Sequence, residues 1–485
     1  MAYIVGDRKQ LTFLPPSIDE YIGADDPVRV YDAFIDALNF SDLGIVINGV
    51  KAGAQEYHPK ILLKIIVYGY SYGTRSSRKL ERACHHNLSF IWLTGDLKPD
   101  YRTIGRFRKA NESAIKQILK QNAKLCIELG IIEGNSLFVD GSKFRANAGI
   151  SNSWDKKRCE KYLKRAEENI DRIMEEAERL DKSEENMESL VKLEDDLLSQ
   201  KEVQKKIKEI ASTIERTGQT SVNTTDIGSV KAKGRQGIHA SYNAQIVVDE
   251  KHGLIVNTEV VSHNNDKNQL SAQVNQTIEV LEKKPESVAC DSGYHSLVDV
   301  EKVPEDIKVI MPSQQQVQKE RKQHELKPFS KEEFKYDAIN DEYICPEGVS
   351  LRNRGNSVSK PRETTYRASG KACSSCINFG VCTKSKAGRT IVRMKEEELM
   401  HELEEIYESS EGQEKYKLRK EKAELPFGHI KSNLGAGQFM LRGREGVNAE
   451  FSILSTCFNI SRMITIFGIP ELISRLKGCK SYAIN

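Results

Sequence analysis

No apolar run in this 485-residue chain reaches the roughly 18 residues that a membrane-spanning helix needs, so a helical membrane protein is not expected. The first residues, MAYIVGDRKQLTFLPPS, lack the basic-then-apolar order of a secretory signal. The expected location is therefore the cytoplasm. In that reducing compartment the ten cysteines are expected as buried thiols or metal ligands, not as a disulfide framework. Histidine pairs at ligand spacing are also missing: His85 and His86 are adjacent and His263 stands alone. Finally, the chain lacks an excess of one charge, with 73 Lys/Arg against 70 Asp/Glu.

The charges that are present are unevenly placed. Residues 60–130 hold 14 Lys/Arg against 5 Asp/Glu, and residues 343–395 hold 11 against 2. Between them, residues 155–216 hold 15 against 18. Two basic blocks separated by a slightly acidic one suggest two surfaces for a polyanion, against the plainer reading of solvated surface charge. At this length two to four structural units are expected, and 38% apolar with 29% charged residues fits a charge-rich globular protein.

The periodicity predicts a helical N-terminal domain over residues 1–132. HPKILLKIIVYGYSYG carries an apolar helical stripe, SSRKLERACHHN reads as a second helix, and residues 101–130 read as a third. The basic start of that third helix, with Arg102, Arg106, Arg108 and Lys109, resembles a helix-turn-helix reader, which makes these residues candidate DNA contacts. A strand ending on Asp140 follows. Residues 155–217 then predict an antiparallel helical hairpin, with Ala166, Ile170 and Ile173 on one seam and Ile207, Ile210 and Ile214 on the other. Next come a β-hairpin over 241–262, a helix over 268–284, a strand running into Asp291, and a strand at 307–313. Residues 314–395 read as an irregular basic insertion with four cysteines. Residues 396–434 read as helical with a Pro-Phe-Gly break, and 449–468 as a core helix.

With the hairpin set aside as an insertion, the succession is strand, strand, strand, helix, strand. This is the order of a ribonuclease H-like core, assigned here to residues 133–313 and 396–475. The fold class is thus α+β or α/β and multidomain. In such a core the strands bearing Asp140 and Asp291 would lie side by side, and a late helix would bring a third acid, for which Glu424 is the candidate. Two-metal phosphodiester chemistry requires such oxygen ligands. Taken singly, an Asp after a strand is more often a turn residue or a cap. Asp266 is a fourth acid nearby and is expected as a helix cap.

At these residues the sequence resembles the DDE transposases of bacterial insertion sequences, in the branch with a Tyr-Arg-Glu-Lys signature. The matching stretches are FVDGSKFRANA, YNAQIVVDEKHGLIV, ACDSGYHS and YKLRKEKAELPFGHIKSNLG. Tyr416 and Arg419 keep the first spacing of the signature, and Glu424 and Lys431 keep the last. The middle gap is four residues instead of three, and Lys420 is an alternative to Arg419. The resemblance implies Asp140, Asp291 and Glu424 as catalytic ligands of two Mg²⁺ or Mn²⁺ ions. It also implies Tyr416, Arg419 and Lys431 as phosphate-holding residues. By the same resemblance the substrate is double-stranded DNA, both element ends and target, joined within a homodimeric complex at the nucleoid. A DNA-binding descendant with an unused site, or a structure-selective nuclease on the same fold, are the competing readings.

Cys345, Cys373, Cys376 and Cys382 form a separate group. Cys373 and Cys376 make a C-x2-C pair, and Cys345 sits in the knuckle-like YICPEG. Four thiolates can close a structural Zn²⁺ site, though reduced thiols or a disulfide also satisfy the spacing. The other six cysteines are scattered and read as packing residues.

Overall fold

The computed structural model describes residues 17–45, 47, 56–181, 187–234, 237–313, 316–317, 328–357 and 360–479. The proline pair at 15–16 and the polar stretch at 182–186 lie outside them. The chain forms two compact units: Met1–Val288 with Leu418–Asn485, and Ala289–Lys417.

The first unit opens with six helices: α1 (Val28–Ala37), α2 (Pro59–Ser71), α3 (Ser77–His86), α4 (Leu88–Thr94), α5 (Tyr101–Ala110) and α6 (Glu112–Glu128). Their ends follow from local chemistry. Pro59 sits in the first turn of α2, where its missing N–H costs nothing. The Asp100 carboxylate caps α5 by accepting from Thr103 N at 2.7 Å. The single helix expected over 101–130 is two, because Asn111 leaves helical geometry and its amide donates back to Phe107 O at 2.8 Å. Helix α4 was not anticipated. It is only seven residues long, set between an Asn87 cap and Gly95 in the left-handed region.

The sheet of this unit contains β1 (Ser136–Arg145), β4 (Val230–Gly234), β5 (Gly237–Asp249), β6 (Ile255–Val261) and β7 (Ser287–Ala289). Strand β1 lies between β5 and β7. The other edge of β5 is shared by β4 and β6. With α9 (Leu270–Leu281) between β6 and β7, this succession is consistent with a ribonuclease H-like core. Strand β1 corrects one expectation: it does not end at Asp140 but runs five residues further, because β5 pairs with it from Leu137 to Arg145. Between β1 and β5 the chain leaves the sheet as β2 (Ser153–Asp155), α7 (Lys156–Asp181), α8 (Met187–Thr217) and β3 (Ser221–Asn223). The two long helices meet along a narrow apolar seam that includes Cys159, Ala166, Ile173, Ile207 and Ile214.

Two helices close the unit, α14 (Arg444–Phe467) and α15 (Ile469–Gly478). Helix α14 is almost wholly buried and carries buried polar residues with defined tasks. Asn459 accepts from Ile255 N at 2.8 Å and Asn448 accepts from Val260 N at 2.7 Å, so the open edge of β6 is satisfied by side chains. Asn459 also donates to Asn122 of α6 at 2.8 Å, and Ser452 donates to Lys116 O at 3.0 Å. The N-terminal helices are thus packed onto the C-terminal core helix within one unit. Among the described residues no single helix is long and apolar enough to cross a membrane.

The second unit contains α10 (Leu297–Val300), β8 (Lys308–Ile310), α11 (Gly370–Ser374) and α12 (Glu397–Glu408). Its main feature is an antiparallel sheet of β9 (Lys335–Asp337), β10 (Glu342–Ile344), β11 (Ser350–Ser357), β12 (Lys360–Ala368) and β13 (Thr390–Met394), ordered 13-12-11-10-9. This sheet corrects the expectation of an irregular insertion. Its strands are short and mostly polar on one face, so they lack the apolar runs that announced the first sheet. Its core is small: Phe334, Tyr343, Leu351, Tyr366, Ala368 and Ile391. The Tyr336 and Tyr366 hydroxyls both donate to the Asp341 carboxylate, at 2.8 and 2.6 Å.

Helix α13 (Ser410–Gly428) belongs in part to each unit, with Leu418 onward in the first. The expected break at Pro426 is absent. The helix continues through Pro426 and then widens into a π-helical turn, His429–Asn433. Proline cannot donate to the carbonyl four residues back, so the helical ladder has a gap just before the π-turn.

Candidate active site

Side chains alternate along a strand, so Asp140, Ser142 and Phe144 share one face of β1. Phe144 anchors that face: it is buried against Phe427, Phe439 and Phe451, with ring centroids 6.1, 5.2 and 5.4 Å away. Phe427 comes from the end of α13. Arg419, Ala423, Phe427 and Ile430 form the buried stripe that lays this part of the chain along β1.

Two signature residues therefore meet the strand. The Arg419 guanidinium, 6% exposed, donates to Asp140 Oδ1 at 2.8 Å. Its Nε also lies 3.4 Å from Val139 O. The Lys431 ammonium donates to Ser142 Oγ at 2.6 Å and stands 4.6 Å from the centre of the Phe144 ring. The π-turn is what turns Lys431 toward this face. With the altered signature spacing, Arg419 still reaches Asp140. Glu424 is exposed, on the flank of α13 beside the buried stripe.

The remaining acids are placed as follows. Asp291 follows β7 and caps a short 3-10 turn, Ser292–Tyr294, accepting from Gly293 N at 2.8 Å. The hydroxyls of Ser136 and Ser287 are 3.0 Å apart, and Asp140 and Asp291 each follow their serine by four residues. Asp266 is not a side-chain helix cap. Its Oδ1 accepts from Asn243 and Gln245 at 2.8 and 2.7 Å. It lies over Gly141, where a Cβ would come within 2.2 Å of that oxygen, which places it against the face opposite Asp140. Tyr416, in the second unit, packs edge-on against Tyr407 with centroids 5.1 Å apart. Among the described residues no three His, Cys, Asp or Glu side chains already stand in metal-ligating positions. The donor chemistry of Asp140, Asp291 and Glu424, all carboxylate oxygens, nevertheless fits Mg²⁺ or Mn²⁺.

On α5, Arg102, Arg106 and Lys109 are exposed, whereas Arg108 serves the domain itself. Its guanidinium donates to Tyr70 Oη at 3.2 Å and Arg75 O at 3.0 Å. Sequence reasoning missed Arg75 and Glu450. Arg75 donates to Glu450 Oε1 at 2.8 Å and to the carbonyls of Gln438 and Gly435. This pair ties the N-terminal helices to the loop after the Lys431 turn. A lone acid in the apolar run of α14 was its only trace in the sequence.

His429, in the π-turn, lies edge-on to Phe458 with centroids 5.4 Å apart. Burial, then the charge of Arg462, pushes its pKa below the ordinary value of 6.5. A depressed folded pKa means the unfolded chain binds the proton more readily. The neutral ring's contribution is then complete above about pH 6.5 and is lost as pH falls through the folded value. The thermal midpoint is expected to drop on acidification below about pH 6.5, and less so in His429→Gln. Parallel midpoint-against-pH curves for the two proteins would remove His429 as the cause.

Residues 16–110 match the model of a transposase domain (DUF772), and residues 344–464 match that of a transposase DDE domain. Both matches are to transposase families, and together they support an insertion-sequence DDE transposase. The second match takes in Arg419, Glu424 and Lys431, while Asp140 and Asp291 precede it. No curated protein and no solved structure gives a match.

Proposed function

We propose that this transposase binds the terminal inverted repeats of its element, cuts the DNA there and joins the freed 3′-hydroxyl to target DNA. The observation that carries this reading is the Arg419–Asp140 ion pair, which joins the late-helix signature to the first acid of the core. Asp140, Asp291 and Glu424 would hold two Mg²⁺ or Mn²⁺ ions, which would activate the attacking water or 3′-hydroxyl and stabilise the leaving oxygen. Arg419 orients the Asp140 carboxylate by a charge-assisted bond. Lys431 and Tyr416 would hold phosphates beside the scissile bond, contacts that position DNA without reading its sequence. Joining two ends calls for two active sites, hence a homodimer in the synaptic complex.

Linear DNA bearing the element's terminal repeats, incubated with Mg²⁺ and a target plasmid, tests the reading. Joined product is expected. Binding without cleavage would point to a DNA-binding protein with an unused site, and nicking without joining to a nuclease.

Arg102, Arg106 and Lys109 would contact the repeat DNA through phosphates. Each neutralised phosphate releases counterions, so these three contacts are expected to weaken repeat binding by roughly 40-fold between 50 and 200 mM salt. The triple replacement with alanine should flatten the slope of log affinity against log salt by about 2 to 3. An unchanged slope would remove α5 from the interface.

A further inference from the structure

We propose that Cys345, Cys373, Cys376 and Cys382 form a structural zinc site inside the sheet of the second unit. The first observation is where the ten cysteines sit. Cys84, Cys126, Cys159, Cys290, Cys457 and Cys479 are buried, as packing residues should be. The other four are partly exposed, unpaired, and line one cavity of about 30 Å³ together with Val349, Leu351 and Arg389. A cavity of that size holds one small guest. A water would need two to four polar partners, whereas the lining is mostly thiols and apolar side chains, with Asn378 held by Glu347 and the outer nitrogens of Arg389 by backbone carbonyls.

The backbone around the sulfurs is already shaped for thiolates. The turn after Cys345 reverses at Gly348, whose φ of +77° favours glycine. It directs Val349 N onto Cys345 Sγ at 3.2 Å. Across the cavity Arg389 N donates to Cys373 Sγ at 3.4 Å. The Cys376–Cys382 segment is tied to the Cys345 turn through Asn378, which donates to Glu347 Oε1 at 2.9 Å. The sulfurs themselves do not yet share one point, so binding requires the four side chains to rotate while these turns hold.

Charge gives a third, independent reason. Four thiols lose four protons on taking up Zn²⁺, leaving a centre of net charge −2. Arg389 lies beside that centre. Its outer nitrogens donate to Cys382 O and Phe329 O, but its Nε is buried with no hydrogen-bond partner. An orphaned cationic donor beside neutral thiols is costly. Beside a dianionic zinc centre it becomes compensating charge. The module also needs a staple, since the core of its sheet comprises six buried residues among the described ones, and zinc binding would supply folding free energy. The site stands apart from the transposase reading and would survive its failure.

Elemental analysis of the full chain, purified without chelator, should find about one Zn²⁺ per chain. Cobalt loading should give the visible absorption of a tetrahedral tetrathiolate. Cys373→Ser/Cys376→Ser should abolish both, and Arg389→Met should weaken zinc binding by roughly 10–100-fold, as loss of a supporting partner does. Should the double variant fail to fold, the wild-type measurements decide. Less than about a tenth of an equivalent of zinc, with no cobalt spectrum and four freely titrating thiols, overturns the site. So does a mass deficit that reports a Cys373–Cys376 disulfide.

Discussion

Asp140→Ala, Asp291→Ala and Glu424→Ala are each expected to lower cleavage of repeat-bearing DNA by on the order of 10⁴-fold or more, the scale on which single members of a cooperating catalytic set act. Binding to the repeat ends should change little, because the proposed end contacts lie on α5. Asp140→Ala has a second consequence. Arg419 is nearly buried, and Asp140 Oδ1 is its close anionic partner. Removing that anion leaves a buried cation with a lost ion pair, so this variant should also lose stability. Asp140→Asn keeps a carbonyl oxygen for Arg419 and should separate the two effects: inactive, yet close to wild type in melting. Normal cleavage by any of the alanine variants removes that residue from the site.

The second large effect concerns folding. Glu450 is fully buried, and burial pushes its pKa up against the pull of Leu441 N, Arg75 and Met440 N. Its carboxylate accepts from Met440 N and Leu441 N, both at 2.9 Å, as well as from Arg75. Glu450→Ala strands the Arg75 guanidinium and two backbone donors at once. Breaking a buried pair on one side costs about 3–5 kcal/mol. The thermal midpoint should fall by roughly 10 °C. Arg75→Met/Glu450→Leu should recover only part of that loss, since an apolar pair leaves neither charge behind but still leaves Met440 N and Leu441 N without their acceptor. A midpoint unchanged in Glu450→Ala would mean that the pair does not hold the helices to the loop.

The first unit was readable because its signals are local and strong. The apolar stripe of α2, the β5–β6 hairpin around its Lys-His-Gly turn, and the apolar α14 each announce themselves in a few residues. The limits of β1 were not readable, because Gly141, Ser142 and Lys143 are polar and only pairing with β5 keeps them in the strand. The second sheet escaped for a related reason. Tyr343 and Tyr366 sit in its core with the half-buried Tyr336 packed against them, and their partners are separated by turns rather than by apolar repeats. At the site, Arg419 and Lys431 were legible through signature spacing. Their partners were not: nothing in the sequence says that Pro426 lets the helix run on into a π-turn, or that Ser142 waits opposite Lys431. The Arg75–Glu450 pair joins residues 375 positions apart, a distance over which no pattern in one sequence carries information.

The central claim is that Asp140 is a metal ligand for DNA cleavage. Asp140→Cys tests it most directly, because a thiolate is a poor ligand for Mg²⁺ and a better one for Mn²⁺. Cleavage of repeat-bearing DNA by this variant, folded by circular dichroism, should be absent in Mg²⁺ and return in part in Mn²⁺. Equal cleavage in the two metals, at the wild-type rate, would contradict the account.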